Sequence, residues 1–253
     1  MSRGASSQAL TEKPGAWIDL ALTLPLFLAY HTGVVFLKIQ NATDVVTPTL
    51  VQLAEGNRGV YLLITASIGV VFAGMFAWLG RGEAFRTSKF AQVIVEGALY
   101  AIVMRVAGSY VVSNLFAPAS LFGAVAEDKR FVGVITSMGA GFYEELAFRV
   151  VLFGLGAKLM VSFFAKQRVD VMRQGGASRL SFRAFLIVFA WMFVAAALFS
   201  GMHYIGALGD KFLMTSFIYR MVIGLVLTVI YLTRGFSTAV WAHALYDIWV
   251  LVF

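Results

Sequence analysis

Six side chains in the second half of the chain have the types and spacings needed to activate a water molecule. They are Glu144, Glu145 and Arg149 in the stretch GFYEELAFRV, His203 in FSGMHYIG, and His243 with Asp247 in AHALYDIW. Successive residues of an α-helix are about 100° apart, so two adjacent glutamates cannot face the same way. Glu145 and Arg149 are four apart and share a face, with the acid on the amino-terminal side, the better orientation for an ion pair. They read as a supporting clamp. Glu144 lies roughly 140° from Arg149 on the same wheel and is left for chemistry. A glutamate in a low-dielectric cavity needs positive or hydrogen-bonding neighbours to remain a carboxylate, and histidines on other helices could supply them. His243 and Asp247 are again four apart, so both can point into one cavity. One carboxylate and two imidazoles suffice to position a water and polarise a carbonyl against it.

The elements that must hold these groups are membrane helices. Of 253 residues, 60% are apolar and 13% are charged, against roughly 25% charged in ordinary soluble domains. About 20 apolar residues span a bilayer, and on that ruler the sequence predicts seven helices, at 17–37, 60–79, 90–117, 131–164, 184–205, 212–232 and 236–253. The third and fourth are long enough to be tilted or broken, and the last is short. The expected fold is all-α, a polytopic bundle of about seven (six to eight) helices around a water-accessible catalytic cavity. It forms a single transmembrane domain over residues 1–253 with its motif core at about 131–253. Alternating ten-residue segments, the mark of a transmembrane β-barrel, are not seen. The first apolar run has no small-residue cleavage site and reads as an anchor, not a removable leader.

With the amino terminus inside, the inner segments carry twelve of the 20 Lys and Arg residues and the outer segments five. This bias predicts a cytoplasmic amino terminus. Most of the inner charge sits in KQRVDVMRQGGASRLSFR, which reads as the topology signal. The net charge of +7 is accordingly assigned to loops at an anionic membrane surface, with the bilayer as partner and no role for nucleic acid. The absence of cysteine excludes disulfides, thiol catalysis and Cys-based metal sites.

Three short patterns occur in order: EELAFR fits E-E-x-x-x-R, FSGMH fits F-x-x-x-H, and HALYD fits H-x-x-x-(D/N). In this the chain resembles the CPBP family of intramembrane proteases, which includes the type II CAAX prenyl endopeptidases and bacterial bacteriocin-immunity and Abi-type homologues. The resemblance implies an eight-helix or similar bundle that hydrolyses peptide bonds near the carboxyl terminus of a membrane-anchored protein or peptide. It implies that Glu144 and His203 activate water while His243 and Asp247 stabilise the oxyanion. In the prenyl proteases the last of these is an asparagine. An ionised Asp247 cannot donate, so it is expected to orient His243 through the ring N–H, leaving His243 as the donor. A compact chain with short loops points to a bacterial inner-membrane member acting on unprenylated substrates.

No cofactor is expected. Should zinc be used, its ligands would be Glu144, His203 and His243, a known catalytic set, although the sequence has no H-E-x-x-H helix. Competing readings are a non-catalytic scaffold or immunity protein of the same family, and a rhomboid-like serine protease using Ser200 of LFSG with His243. A presenilin-like aspartyl site at ALGD lacks the first glycine of its motif, and a transporter predicts polar groups in both halves. Among the remaining polar groups, His31 reads as an interhelical hydrogen-bonding residue. Glu96 and Arg105 are half a turn out of phase and are expected to contact other helices. A second ion pair for Glu144 with Arg105 or Arg220 is the structural alternative to catalysis. Tyr143 and Phe148 read as packing residues. Counting 1.5 Å per residue puts Glu144 about 20 Å along its helix and His203 near the outer face. The two meet only if the embedded part of the fourth helix begins later, near Gly139, where Gly139 and Gly141 permit a break, or if the fifth helix is tilted.

Overall fold

The computed structural model describes residues 15–37, 39, 41, 43–44, 46–79, 87–116, 130–168, 180–206 and 209–252. Much of the loop from 166 to 183, and Arg3, Lys13, Lys38, Arg81, Arg86 and Lys129 from the charge count, lie outside the described residues. Among those described there are helices and turns but no strand. Six helical spans are long and apolar enough to cross a membrane: Trp17–Leu37, Arg58–Trp78, Ser88–Leu115, Arg130–Ala165, Phe182–Met202 and Met214–Arg234. Phe236–Val252 is apolar but shorter. The protein is a polytopic integral membrane protein, as its composition predicts.

Ten α-helices follow one another among the described residues: α1 (Ala16–Ala21), α2 (Leu24–Leu37), α3 (Val46–Leu53), α4 (Arg58–Leu79), α5 (Thr87–Leu115), α6 (Arg130–Glu145), α7 (Gly156–Met160), α8 (Phe182–Met202), α9 (Met214–Arg234) and α10 (Phe236–Val252). Two π-helical stretches, Leu146–Leu155 and Val161–Ala165, flank α7. The chain forms two compact units.

The first unit comprises the described residues of Met1–Ala98, Val125–Glu145 and Arg234–Phe253. Its first span is interrupted between α1 and α2, where Pro25 has no N–H to give and its ring crowds the carbonyl four residues back. The Thr23 hydroxyl donates to the Leu20 carbonyl at 2.7 Å across the interruption. The centre of the unit is α6, which packs against α2 and α10 through glycines. A Cβ on Gly139 would stand 2.3 Å from the Tyr30 ring, and one on Gly141 would stand 2.8 Å from the Val240 carbonyl oxygen. Close approach through small residues is how helices associate in a medium as apolar as their own side chains. Phe27, Tyr30 and Val34 of α2 meet Ile135 and Tyr143 of α6 in a buried cluster. Large apolar side chains on the other faces, among them Phe36, Leu63 and Val70, stay exposed, as lipid-facing positions should.

Two carboxylates fix helix ends in this unit. Asp19 of α1 accepts from the backbone N–H groups of Phe236 and Ser237 at 2.6 and 2.9 Å, and from the Ser237 hydroxyl. It thereby caps α10 from more than 200 residues away. Gly235, just before that helix, has φ +105, a value that L side chains rarely adopt. Asp44 caps α3, accepting from Val46 N and Thr47 N at 2.9 Å each. Helix α3 was not foreseen from the sequence. It is eight residues long and contains Pro48, which is tolerated in a first turn where the N–H has no helical partner.

The second unit comprises the described residues of Leu99–Ala124 and Leu146–Thr233. Gly156 lies under the Trp191 ring, whose indole N–H donates to the Leu152 carbonyl at 3.0 Å. In the membrane a carbonyl of an irregular helix needs such a partner. Helix α8 begins at Ser181, whose hydroxyl accepts from Ala184 N at 3.2 Å.

Two details depart from expectation. Helix α6 keeps α geometry through Gly139 and Gly141, and the change of winding comes at Leu146, directly after the glutamate pair. The two glycines serve close packing instead of a break. Such π-helical turns occur frequently at functional sites.

Candidate functional site

The first unit brings together Glu144, Glu145, His243 and Asp247. Glu145 is completely buried, while the Glu144 side chain keeps 12% of its exposure. This is the division of faces that the 100° offset predicts. Glu145 Oε1 accepts from His243 Nδ1 at 2.7 Å, so the ring N–H at Nδ1 is committed to α6. The opposite nitrogen, Nε2, faces Asp247 Oδ2 at 3.5 Å and Glu144 Oε2 at 3.9 Å. His243 thus connects both glutamates and the aspartate one turn along its own helix. The sequence paired Glu145 with Arg149, did not foresee its bond to His243, and gave the ring N–H to Asp247. In the structure Glu145 holds the Nδ1 side and Asp247 stands beside Nε2.

A residue that the motifs did not contain also reaches Glu144. Asn41, between α2 and α3, donates from its side-chain amide to Glu144 Oε1 at 3.2 Å. Tyr143, next to Glu144, is held from behind. Its hydroxyl lies 2.6 Å from His31 Nε2, and His31 Nδ1 lies 2.8 Å from the Tyr61 hydroxyl. His31 is fully buried and joins α2, α4 and α6, the interhelical role expected of it. Tyr143 lies in the α2–α6 cluster, which matches its reading as a packing residue. Glu96 takes a two-pronged contact from Arg234, Nε to Oε2 at 2.9 Å and Nη2 to Oε1 at 2.5 Å.

The second unit contains Arg149, His203 and Ser200. The Arg149 guanidinium lies 4.3 Å from the centre of the Phe199 ring, and its Nη2 approaches the Gly224 carbonyl at 3.5 Å. A cation over a ring face is attracted by its quadrupole. Phe148 meets Phe199 edge-on. His203 sits at the carboxyl end of α8, with Nδ1 3.0 Å from the Phe199 carbonyl. A carbonyl can only accept, so Nδ1 carries the proton and Nε2 of a neutral ring presents its lone pair. Phe199 and His203 of the second motif are therefore physically coupled. The Ser200 hydroxyl donates to the Phe217 carbonyl at 2.7 Å, and Arg220 is paired with Asp210 at 2.5 Å. Among the described residues no group of three His, Asp or Glu side chains has a spacing that could hold a metal ion.

Asn41 and Asp19 escaped the sequence reading because neither belongs to a pattern. Each acts across more than a hundred residues, and the only local sign is a polar side chain at the edge of an apolar run.

These observations define a class: a polytopic helical membrane protein whose buried core sets carboxylates around an imidazole. A comparison with known families adds a likeness. Residues 126–249 match the family model described as type II CAAX prenyl endopeptidase Rce1-like. That segment contains all three motifs, and it is an Rce1-like domain of the CAAX protease family that the motifs resemble. The family is one of proteases. No curated protein and no solved structure gives a significant match.

Proposed function

We propose that this protein is an intramembrane endopeptidase that hydrolyses a peptide bond near the carboxyl terminus of a membrane-associated protein or peptide. The observation that carries the reading is the ordering of carboxylates around His243 within an Rce1-like segment. Glu145 is buried and bonded to Nδ1, whereas Glu144 is partly exposed, steadied by an amide on one oxygen, and turned toward Nε2 with the other.

Glu144 is the general base. A water bound at its carboxylate gives up a proton to Glu144 as its oxygen attacks the substrate carbonyl carbon. The family resemblance implies His203 as the residue that orients that water. The carbonyl oxygen becomes an oxyanion and accepts from His243, which requires a proton on Nε2. Preorganised donors at such a position are commonly the largest single contribution to acyl-transfer catalysis. The carbonyl then re-forms, the carbon–nitrogen bond breaks, and the leaving amine takes the proton from Glu144. The products are a carboxylic acid and an amine, and the acid's proton passes on to the amine to leave a carboxylate and an ammonium group. Asp247 holds the imidazole from the Nε2 side and Glu145 from the Nδ1 side.

The charge bias of the loops supports a cytoplasmic amino terminus, and the compact chain supports a bacterial inner-membrane location with unprenylated substrates. The deciding experiment is cleavage of a panel of membrane-tethered reporter peptides by the purified protein and by Glu144→Gln, each with and without a zinc chelator. Activity lost in the variant and kept with chelator is the expected result. Loss with chelator would return zinc to Glu144, His203 and His243. Equal cleavage by both proteins would remove Glu144 from catalysis.

A further inference from the structure

The amide that faces Glu144 comes from outside the segment that matches the family, and its orientation is fixed by chemistry. Asn41 Oδ1 lies 2.9 Å from Thr43 N and 2.6 Å from the Thr43 hydroxyl. A backbone N–H can only donate, so the atom it approaches must be the amide oxygen, and the NH2 group must be the one 3.2 Å from Glu144 Oε1. The amide therefore cannot be turned around without losing both contacts to Thr43. The backbone is held as firmly. Asn41 N donates to the Tyr30 hydroxyl at 2.8 Å, and that hydroxyl donates to Asp44 Oδ2 at 2.8 Å. Asp44 in turn caps α3 through Val46 N and Thr47 N, and also accepts from the Thr47 hydroxyl. Asn41 and Asp44 are buried.

We propose that Asn41 is a positioning residue for the proteolytic reaction: its amide N–H fixes the working orientation of the Glu144 carboxylate. The Tyr30–Asp44–α3 connection makes the amino-terminal helices part of the catalytic apparatus. The proposal rests on the reading of Glu144 as the base. A donor aimed at one carboxylate oxygen leaves the other to receive the proton from water. It also resists rotation of the carboxyl group between turnovers. His243 Nε2 on α10 lies 3.9 Å from the other oxygen, Oε2, so Asn41 supplies an uncharged donor to Oε1.

Asn41→Ala and Asn41→Asp separate positioning from packing. Aspartate has the same size and keeps an oxygen for Thr43 N and the Thr43 hydroxyl, but it offers Glu144 no N–H. The wild type, both Asn41 variants and Glu144→Gln are compared as full-length protein on the reporter peptides. The Glu144 carboxylate band is isolated as the infrared difference between each protein and its Glu144→Gln counterpart. Both Asn41 variants are expected to lose kcat on the order of 10- to 100-fold, the effect of removing a hydrogen bond to a charged group, with KM little changed and the band displaced. Asn41→Asp keeps an acceptor for Thr43 and Asn41→Ala does not, so a loss of kcat common to both is assigned to the missing N–H. Wild-type kcat and an unmoved band in Asn41→Asp, with Glu144→Gln inactive, would overturn this proposal alone. Full activity in Glu144→Gln would remove the base and the proposal together.

Discussion

Gly141 offers the sharpest test of how packing sets the chemistry. A Cβ at this position would lie 2.8 Å from Ala244 Cβ, 2.8 Å from the Val240 carbonyl oxygen and 2.9 Å from Ala244 N. Two of these are backbone atoms and no rotamer change relieves them. To restore an ordinary contact of 3.4 Å, Gly141→Ala must separate α6 from α10 by about 0.6 Å. His243 and Ala244 are neighbours on α10, so the histidine moves with the obstacle, away from Glu144 and Glu145 on α6. Overpacking of this kind costs about 1–3 kcal/mol. Misplacement of reacting groups by about 1 Å can cost about 100-fold in rate, so a shift of half to two-thirds of that places the expected loss on the order of tenfold. The assay is kcat on the reporter peptides together with thermal unfolding in detergent. Gly74→Ala is the control, because a Cβ there meets nothing within 4 Å. A helical alanine should be neutral or slightly stabilising at that position. If Gly141→Ala turns over and unfolds like Gly74→Ala, the close approach of α6 and α10 is not what sets the histidine.

Three further outcomes follow from single contacts. Glu145→Gln replaces a carboxylate that accepts from His243 Nδ1 at 2.7 Å, and should lower kcat by an amount equivalent to about 1.5–3 kcal/mol; an unchanged kcat would leave Glu145 with no part in orienting the ring. Asp19→Ala removes the cap of α10 and should cost about 0.5–2 kcal/mol of stability, read as a lower thermal midpoint that Asp19→Asn partly restores. Ser200→Ala loses the hydroxyl bond to the Phe217 carbonyl, about 1 kcal/mol of stability, and should leave turnover near that of the wild type; loss of cleavage would revive a serine nucleophile.

How far the sequence reaches into this molecule depends on the range of the interaction. Six apolar runs long enough to span a bilayer are a property of local composition, and they reappear as helices with ends shifted by a few residues. The unequal roles of Glu144 and Glu145 were legible for the same reason: adjacent residues on a helix must diverge, and one is fully buried while its neighbour is not. The partners were not legible. Nothing local in EELAFR says that Glu145 meets a histidine 98 residues on, or that Glu144 meets an asparagine 103 residues back. Helical period offers Glu145 only partners on its own element, such as Arg149, and cannot offer a histidine on another helix. The glycines at 139 and 141 were misread as a break since glycine weakens a helix and permits close packing alike, and only a neighbouring helix decides between the two.

The adjacency of the glutamates then has a physical purpose. A single carboxylate that both fixed the imidazole and received a proton would have to give up one task to perform the other. Two carboxylates one residue apart divide the work: Glu145 turns into the α6–α10 interface and holds Nδ1, while Glu144 turns toward the Asn41 amide and Nε2. The division holds only while α10 stays close enough for a 2.7 Å hydrogen bond from its histidine, and the hydrogen at Gly141 is what permits that distance. At the other end of the same helix, Asp19 fixes where α10 begins, and so the register at which His243 meets the pair. The charges that first draw attention in GFYEELAFRV are therefore set by two features without catalytic chemistry, a missing side chain and a distant cap. In an apolar solvent, where close packing and satisfied backbone groups hold helices together, that is where control of the site should be expected.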